Sequence, residues 1–207
     1  MKLLINFYAN VSEGTVNDLI KFVTIKLAQQ NQEKPIDEII LQISSSGGSS
    51  DHGLLAYNFL KQISIPKTTI GMGNVDSAAV MMFCAGEKRL AAPSCRFVLH
   101  EAIATLGGQF NPTKLKELAK LIQRITDDYS EVISKVVGKK KSVVDKEVRN
   151  GAVLSSDEAK KFGLVVDIID GAYLKDMRDL DILLINNPNQ PQIVQQPNQH
   201  PQKNAEI

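Results

Sequence analysis

The sequence has no tryptophan, two cysteines and three histidines in 207 residues. Cys84 and Cys95 lie among apolar neighbours without metal-ligand spacing, which reads as buried free thiols in a reducing compartment rather than a disulfide framework. The histidines (His52, His100, His200) are too few and too scattered for a zinc site, and no glycine-rich phosphate loop or dinucleotide fingerprint is present. Neither a metal nor a cofactor is therefore expected. No apolar run reaches the roughly 18 residues that a membrane span needs, so no membrane partner is expected. The opening Met1-Lys2-Leu3-Leu4-Ile5-Asn6 turns polar too soon for a secretory signal, which leaves a cytoplasmic location as the expectation. An excess of one charge is missing too. With 24 Lys+Arg against 23 Asp+Glu, the chain lacks the field that a nucleic-acid binder uses to neutralise phosphates.

What is present is an ordinary globular body with a different C-terminus. Apolar residues make up 43% of the chain, enough for one core. From Asn186 to Ile207, 15 of 22 residues are Asn, Gln or Pro. Such a segment has too little apolar surface to offset ordering entropy, so it reads as a disordered tail and residues 1–185 as the folded domain.

Within 1–185, strand and helix patterns alternate. Strands are expected at Leu3–Ala9, Glu38–Ser44, Lys67–Met72, Lys88–Ala91, Arg96–His100 and Leu164–Ile169. The 3.6 period of Val16, Leu19, Ile20, Val23 and Leu27, capped by Ser12, predicts a first helix. A second helix carries Leu55, Phe59 and Ile63. The small apolar run Ser77–Ala85 reads as a buried helix after a turn at Gly73-Asn74. A long amphipathic helix is expected over Pro112–Val137, with Leu115, Leu118, Ile122, Tyr129, Ile133 and Val136 on its apolar stripe. Ser155 and Glu158 form a capping box, and Gly163 closes that helix. Alternation of this kind predicts an α/β fold with a largely parallel sheet.

Four features follow strands and could carry chemistry. Gly47-Gly48 can simply turn a strand into a helix, or can let backbone N–H groups approach an oxyanion. Ser77 sits between small residues at the mouth of a buried helix, either as a plain N-cap or as a nucleophile beside the following amide, Ala78 N–H. Its surroundings are not the nucleophile elbow of α/β-hydrolases. His100 ends an apolar strand at the rim where loops begin. Arg149-Asn150-Gly151-Ala152-Val153-Leu154-Ser155 lies between two helices and by itself reads only as a turn.

Together these residues resemble the proteolytic subunit of the Clp proteases, within the crotonase-like superfamily. The family's Gly-Gly turn, Gly-x-x-x-Ser nucleophile and strand-ending His are matched by Gly48, Ser77 and His100, 29 and 23 positions apart. Gly108-Gln109 resembles the pair that opens the family's long handle helix. Leu154-Ser155-Ser156-Asp157-Glu158-Ala159 through Gly163-Leu164 is similar to its Leu-Ser-x-x-Glu-Ala-x-x-x-Gly-Leu run. The resemblance spans Ile5 to Ile169. It implies the ClpP/crotonase-like fold of repeated β-β-α units with a projecting handle helix, and an ATP-dependent-protease-like serine endopeptidase acting on unfolded polypeptides. Ser77 would attack, His100 would be the general base, and the amides of Gly48 and Ala78 would hold the oxyanion. It also implies a homo-oligomer of stacked seven-membered rings and an AAA+ unfoldase ATPase as partner.

Gly151 stands where the family has its catalytic Asp. Asn150, beside it, would then orient His100 through its amide oxygen, with Asp145 and Glu147 as further candidates. Asp76, next to the nucleophile, is expected to point away from the site. A pseudo-peptidase that co-assembles with an active paralogue is the alternative, and an acyl-CoA enzyme of the same superfamily a third reading. Ser77 and His100 at family spacing favour the peptidase.

Overall fold

Parallel pairing organises the sheet. The computed structural model describes residues 1–31, 33–169, 171, 173–174 and 180–187. In chain order the elements are β1 (Lys2–Tyr8), α1 (Glu13–Gln29), β2 (Glu38–Ser45), α2 (Ser50–Lys61), β3 (Lys67–Asp76), α3 (Ala78–Phe83), β4 (Lys88–Ala91), β5 (Arg96–Leu99), α4 (Pro112–Val137), α5 (Lys141–Asn150), β6 (Ala152–Ser155), α6 (Ser156–Phe162), β7 (Asp167–Ile168) and β8 (Leu180–Asn186). Strands run in the order β6-β5-β3-β2-β1-β8, with β4 joining β3 to β7. Every pair is parallel except β5–β6.

The alternation of β1 and β2 divides the core. Leu3, Ile5, Phe7, Ile39, Leu41 and Ile43 join the main cluster with α1, α2 and α3. On the other face, Leu4, Ile40, Ile70, Leu90 and Leu180 form a second cluster beneath Ile169, Tyr173 and Leu174. Successive side chains point to opposite faces of a strand, so runs buried on both faces read as nearly continuous apolar sequence.

β3 is longer than its sequence suggests. The expected turn at Gly73-Asn74 is absent because the strand keeps partners on both sides. Its first half pairs with β4 (Thr68↔Lys88 to Gly71↔Ala91), and its second half with β5 (Asn74↔Arg96 to Asp76↔Val98). The register with β2 shifts between Ile43↔Gly71 and Ser45↔Val75. One edge of this strand is therefore shared by two successive neighbours, β4 and then β5.

Three further elements differ from expectation. The Ala152–Ser155 turn is a strand, β6, held by β5. The expected strand Leu164–Ile169 contracts to Asp167–Ile168. Leu180–Asn186, which carries no clean alternation, is a parallel edge strand on β1 with Ile185 fully buried. Asn187 Oδ1 then accepts from Asn10 N–H at 2.8 Å. The body thus takes in the first residues counted with the tail. Residues 188–207, and His200 with them, lie outside the described residues.

The long helix matches its expected bounds. Asn111 caps it through Lys114 N–H, Pro112 stands in the first turn, and Gly138 closes it in the left-handed region at φ 67°. Proline is tolerated at that start, and glycine adopts that stop without strain. α4 packs on α2, α3 and α5. Buried side chains begin only at Thr126, so its first half stands uncovered as an arm. Among the described residues no helix is long and apolar enough to cross a membrane.

Candidate active site

The C-terminal ends of β2 and β3 meet at Gly47-Gly48 and Ser77. A Cβ on Gly47 (φ 87°) would lie 2.7 Å from Ser77 Cβ, so only glycine lets the β2 end close on the serine. Gly48 (φ 142°) runs beside Val11, which accepts from Ser49 N–H and donates to the Gly47 carbonyl, both at 2.8 Å. Val11 thereby fixes the peptide plane between the two glycines. Among the described residues, the Gly48 N–H has no hydrogen-bond partner.

Ser77 has φ 55° and ψ −126°, the one non-glycine residue with positive φ among those described. Such a backbone costs of order 1–3 kcal/mol and persists only where its surroundings impose it. Here the Ser77 N–H donates to the Val98 carbonyl at 2.9 Å, and its carbonyl accepts from Val80 N–H at 2.9 Å. All six residues of α3 that follow are buried, which locks the turn. The plain N-cap reading fails, because the Ser77 side chain makes no capping hydrogen bond. Its hydroxyl stands at the end of α3 next to the unpaired Ala78 N–H, the first of the helix's orphan amides.

His100 follows β5 directly. The β5–β6 register pairs Leu99 with Ala152, so one further step sets His100 opposite Gly151. Gly151 closes α5 in the left-handed region at φ 66°, and a Cβ there would meet nothing within 4 Å. Position 151 thus offers no side chain and has open space around it. His100 Nδ1 lies 2.8 Å from the Glu101 carbonyl. A carbonyl only accepts, so this contact needs the proton on Nδ1, the tautomer that leaves the lone pair of an imidazole on Nε2.

Asn150 is brought near His100 by the same register but does not bond to it. It is exposed and lines a shallow hollow of about 400 Å³ with Ser142, Asp145, Lys146 and Arg149. Among the described residues no hydrogen bond joins Ser77 to His100 or His100 to Asn150. Asp145 is taken up by Lys141 at 3.0 Å. In this structure the group bonded to the imidazole is the Glu101 carbonyl, and Asn150 stands exposed at the end of α5.

Asp76 points away from Ser77, as expected, toward Asn74 Nδ2 (3.0 Å) and Arg96 Nη2 (3.1 Å). Sequence reasoning missed two groups. Thr126 Oγ1 accepts from Ala102 N–H at 3.1 Å, tying the segment after His100 to α4. Its one sequence signal is a hydroxyl on the inward helix face, which Tyr129, Ser130 and Ser134 also carry. The Glu101 carbonyl has no sequence signal, being a backbone group. Burial pushes both thiols, Cys84 and Cys95, up to about 12, so neither supplies a thiolate at neutral pH. Among the described residues no group of three or more His, Cys, Asp or Glu side chains could hold a metal.

A sequence model described as Clp protease matches residues 2–172. Among curated proteins, ATP-dependent Clp protease proteolytic subunit 2 of Borreliella burgdorferi is 30% identical over 137 residues, covering 65% of this chain and 68% of the relative. Subunit 1 of Rhodococcus jostii is 29% identical over 162 residues, 77% of this chain and 71% of the relative. A solved asparagine-to-aspartate mutant of ClpP1 from Listeria monocytogenes superposes with a TM-score of 0.71 at 24% identity, over 81% of this chain and 91% of that one. That likeness carries the α/β ClpP/crotonase-like fold.

Proposed function

Because this chain belongs to the Clp protease family as a proteolytic-subunit homologue, we propose that it is a serine endopeptidase cleaving unfolded polypeptides in the cytoplasm. The observation that carries the reading is Ser77: a strained turn closes it on the Gly47-Gly48 segment with its hydroxyl unused, and the Gly48 and Ala78 N–H groups are unpaired among the described residues.

In the proposed reaction Ser77 Oγ attacks the scissile carbonyl carbon while its proton passes to His100 Nε2. The carbonyl π pair moves onto oxygen, and the Gly48 and Ala78 amides hold that charge. Collapse of the intermediate expels the amine, which takes the proton back from Nε2 and leaves an acyl-Ser77. Water, deprotonated by the same nitrogen, then hydrolyses the ester and restores the hydroxyl. Throughout, Nδ1–H stays on a neutral acceptor: the Glu101 carbonyl, or Asn150 Oδ1 after a rotation of its side chain. A neutral acceptor stabilises the imidazolium less than a carboxylate does, so turnover is slow.

His100 has to swing to reach Ser77, and assembly supplies the means. The uncovered half of α4 presents Leu115, Leu118, Leu121 and Ile122 to a second copy, and Thr126 links that same helix to the segment after His100. The assembly is a homo-oligomer of stacked rings fed by an AAA+ unfoldase ATPase. No nucleic acid, membrane, metal or cofactor takes part.

One observation favours a second reading, a pseudo-peptidase that co-assembles with an active paralogue: Gly151 leaves His100 without an acid. The two separate on treatment with a serine-reactive fluorophosphonate. An adduct on Ser77, lost in Ser77→Ala, supports the peptidase. An unreactive native assembly supports the pseudo-enzyme.

A further inference from the structure

The residue before Ser77 carries a charge that the proposed chemistry does not want. Asp76 ends β3 and is 8% exposed. Its Oδ1 is buried without a hydrogen-bond partner among the described residues. Its Oδ2 accepts from Asn74 Nδ2 and from Arg96 Nη2 at 3.0 and 3.1 Å. Arg96 opens β5 directly opposite Asn74, and its side chain is 58% exposed. Asn74 also reaches Ser44 at 3.0 Å and Ser46 at 3.4 Å across to the β2 side.

Consecutive α-carbons are about 3.8 Å apart, so Asp76 stands one residue from the proposed nucleophile and two from Ala78, whose amide is to hold the oxyanion. Attack by Ser77 creates a negative oxygen in that neighbourhood. A bare carboxylate would oppose it, and the buried surroundings of Asp76 screen the repulsion poorly. A charged neighbour of this kind is tolerable only while a cation cancels it.

We infer that Arg96 is a positioning residue for the Ser77 chemistry: acting through Asp76, it holds the carboxylate toward β5 and cancels its charge at the oxyanion. The inference rests on the serine-peptidase reading. It makes a demand that a simple tether does not. If the pair only ties β3 to β5, losing either partner costs the same. If Arg96 cancels a harmful charge, losing Arg96 slows acylation, and removing the charge itself repairs the loss.

The experiment measures the rate of fluorophosphonate acylation on the full chain, with the adduct located by mass spectrometry and a melting temperature for every variant. Arg96→Gln is expected to slow acylation of Ser77 by about tenfold, and Asp76→Asn to raise it by about two- to threefold. The double variant is expected to return to within about threefold of the parent. A double variant as slow as Arg96→Gln, or two single variants that slow equally, overturns the inference and leaves the peptidase reading standing. If Arg96→Gln fails to fold, Arg96→Lys carries the test: a folded variant slowed tenfold or more overturns the charge role, because the cation is still there. A parent protein that gives no adduct on Ser77 overturns the peptidase reading and this inference together.

Discussion

The two halves of α4 share one sequence pattern and have opposite fates. From Thr126 to Ser134 the stripe is inside, with Ile133 at 0% exposure. Before Thr126 the same period continues, yet Leu121 is 53% exposed and Leu115 46%. Periodicity states that a face wants a cover; it does not state whose. The inner half finds its cover in α2, α3 and α5, and the outer half finds none among the described residues.

Substitutions in the two halves should therefore register in different measurements. Ile133→Ala should have the largest effect, lowering unfolding free energy by about 2–4 kcal/mol through transfer loss and a residual cavity, read from a denaturant titration. A loss under about 1 kcal/mol would mean that the inner half is not packed as described. Leu115→Glu with Leu121→Glu should leave the melting temperature of the monomer nearly unchanged while light scattering shows the assembly mass falling toward 22.8 kDa. An assembly of unaltered mass would show that the outer half is not its interface.

A third test moves to the far edge of the sheet. Truncation after Asn187 should leave the melting temperature as it was, whereas truncation after Leu184 should lower stability by about 1–3 kcal/mol because it removes the buried Ile185 from β8. Equal behaviour of the two truncations would deny β8 its place.

The smallest effect concerns ion pairs. Burial by itself would raise the Glu38 carboxyl, but hydrogen bonds from Lys2 and Thr68 and the Lys2 charge outweigh it and hold the group below its ordinary value. A carboxyl lowered on folding stabilises the fold above its unfolded pKa of about 4.3, and that contribution is lost as the pH falls through the lower folded value. Glu38→Gln should flatten the acid limb of stability against pH by less than about 1 kcal/mol. Removing the exposed Lys114–Glu117 pair from the arm should leave that limb as it is.

Much of the architecture was legible because local chemistry and packing agree. Asn111, Pro112 and Gly138 bound α4 to the residue, and the capping box at Ser155 and Glu158 starts α6. Elements whose identity depends on neighbours were harder to read. Gly73-Asn74 looks like a turn and is strand, because β2 and β5 hold it from both sides. Leu180–Asn186 has no clean alternation, since an edge strand buried unevenly on its two faces need not show one. At the site, the resemblance to the Clp proteolytic subunits pointed to Ser77, Gly48 and His100. The contact of His100 with the Glu101 carbonyl could not be read, because a backbone group is invisible to any side-chain pattern.

The parallel direction of β8 has a practical side. Its C-terminal end lies on the same rim as Gly48 and Ser77, and Asn187 is fastened to Asn10 one residue before the Val11 that brackets the glycines. The Met1 ammonium sits on the opposite rim, bonded to Asp37 and the Pro35 carbonyl. A fluorophore placed at Asn187 would thus sit on the rim of Gly48 and Ser77. The same label at the N-terminus would disturb the Asp37 contact yet stay a full strand length away from the serine, which makes it the cleaner place for a reporter of activity.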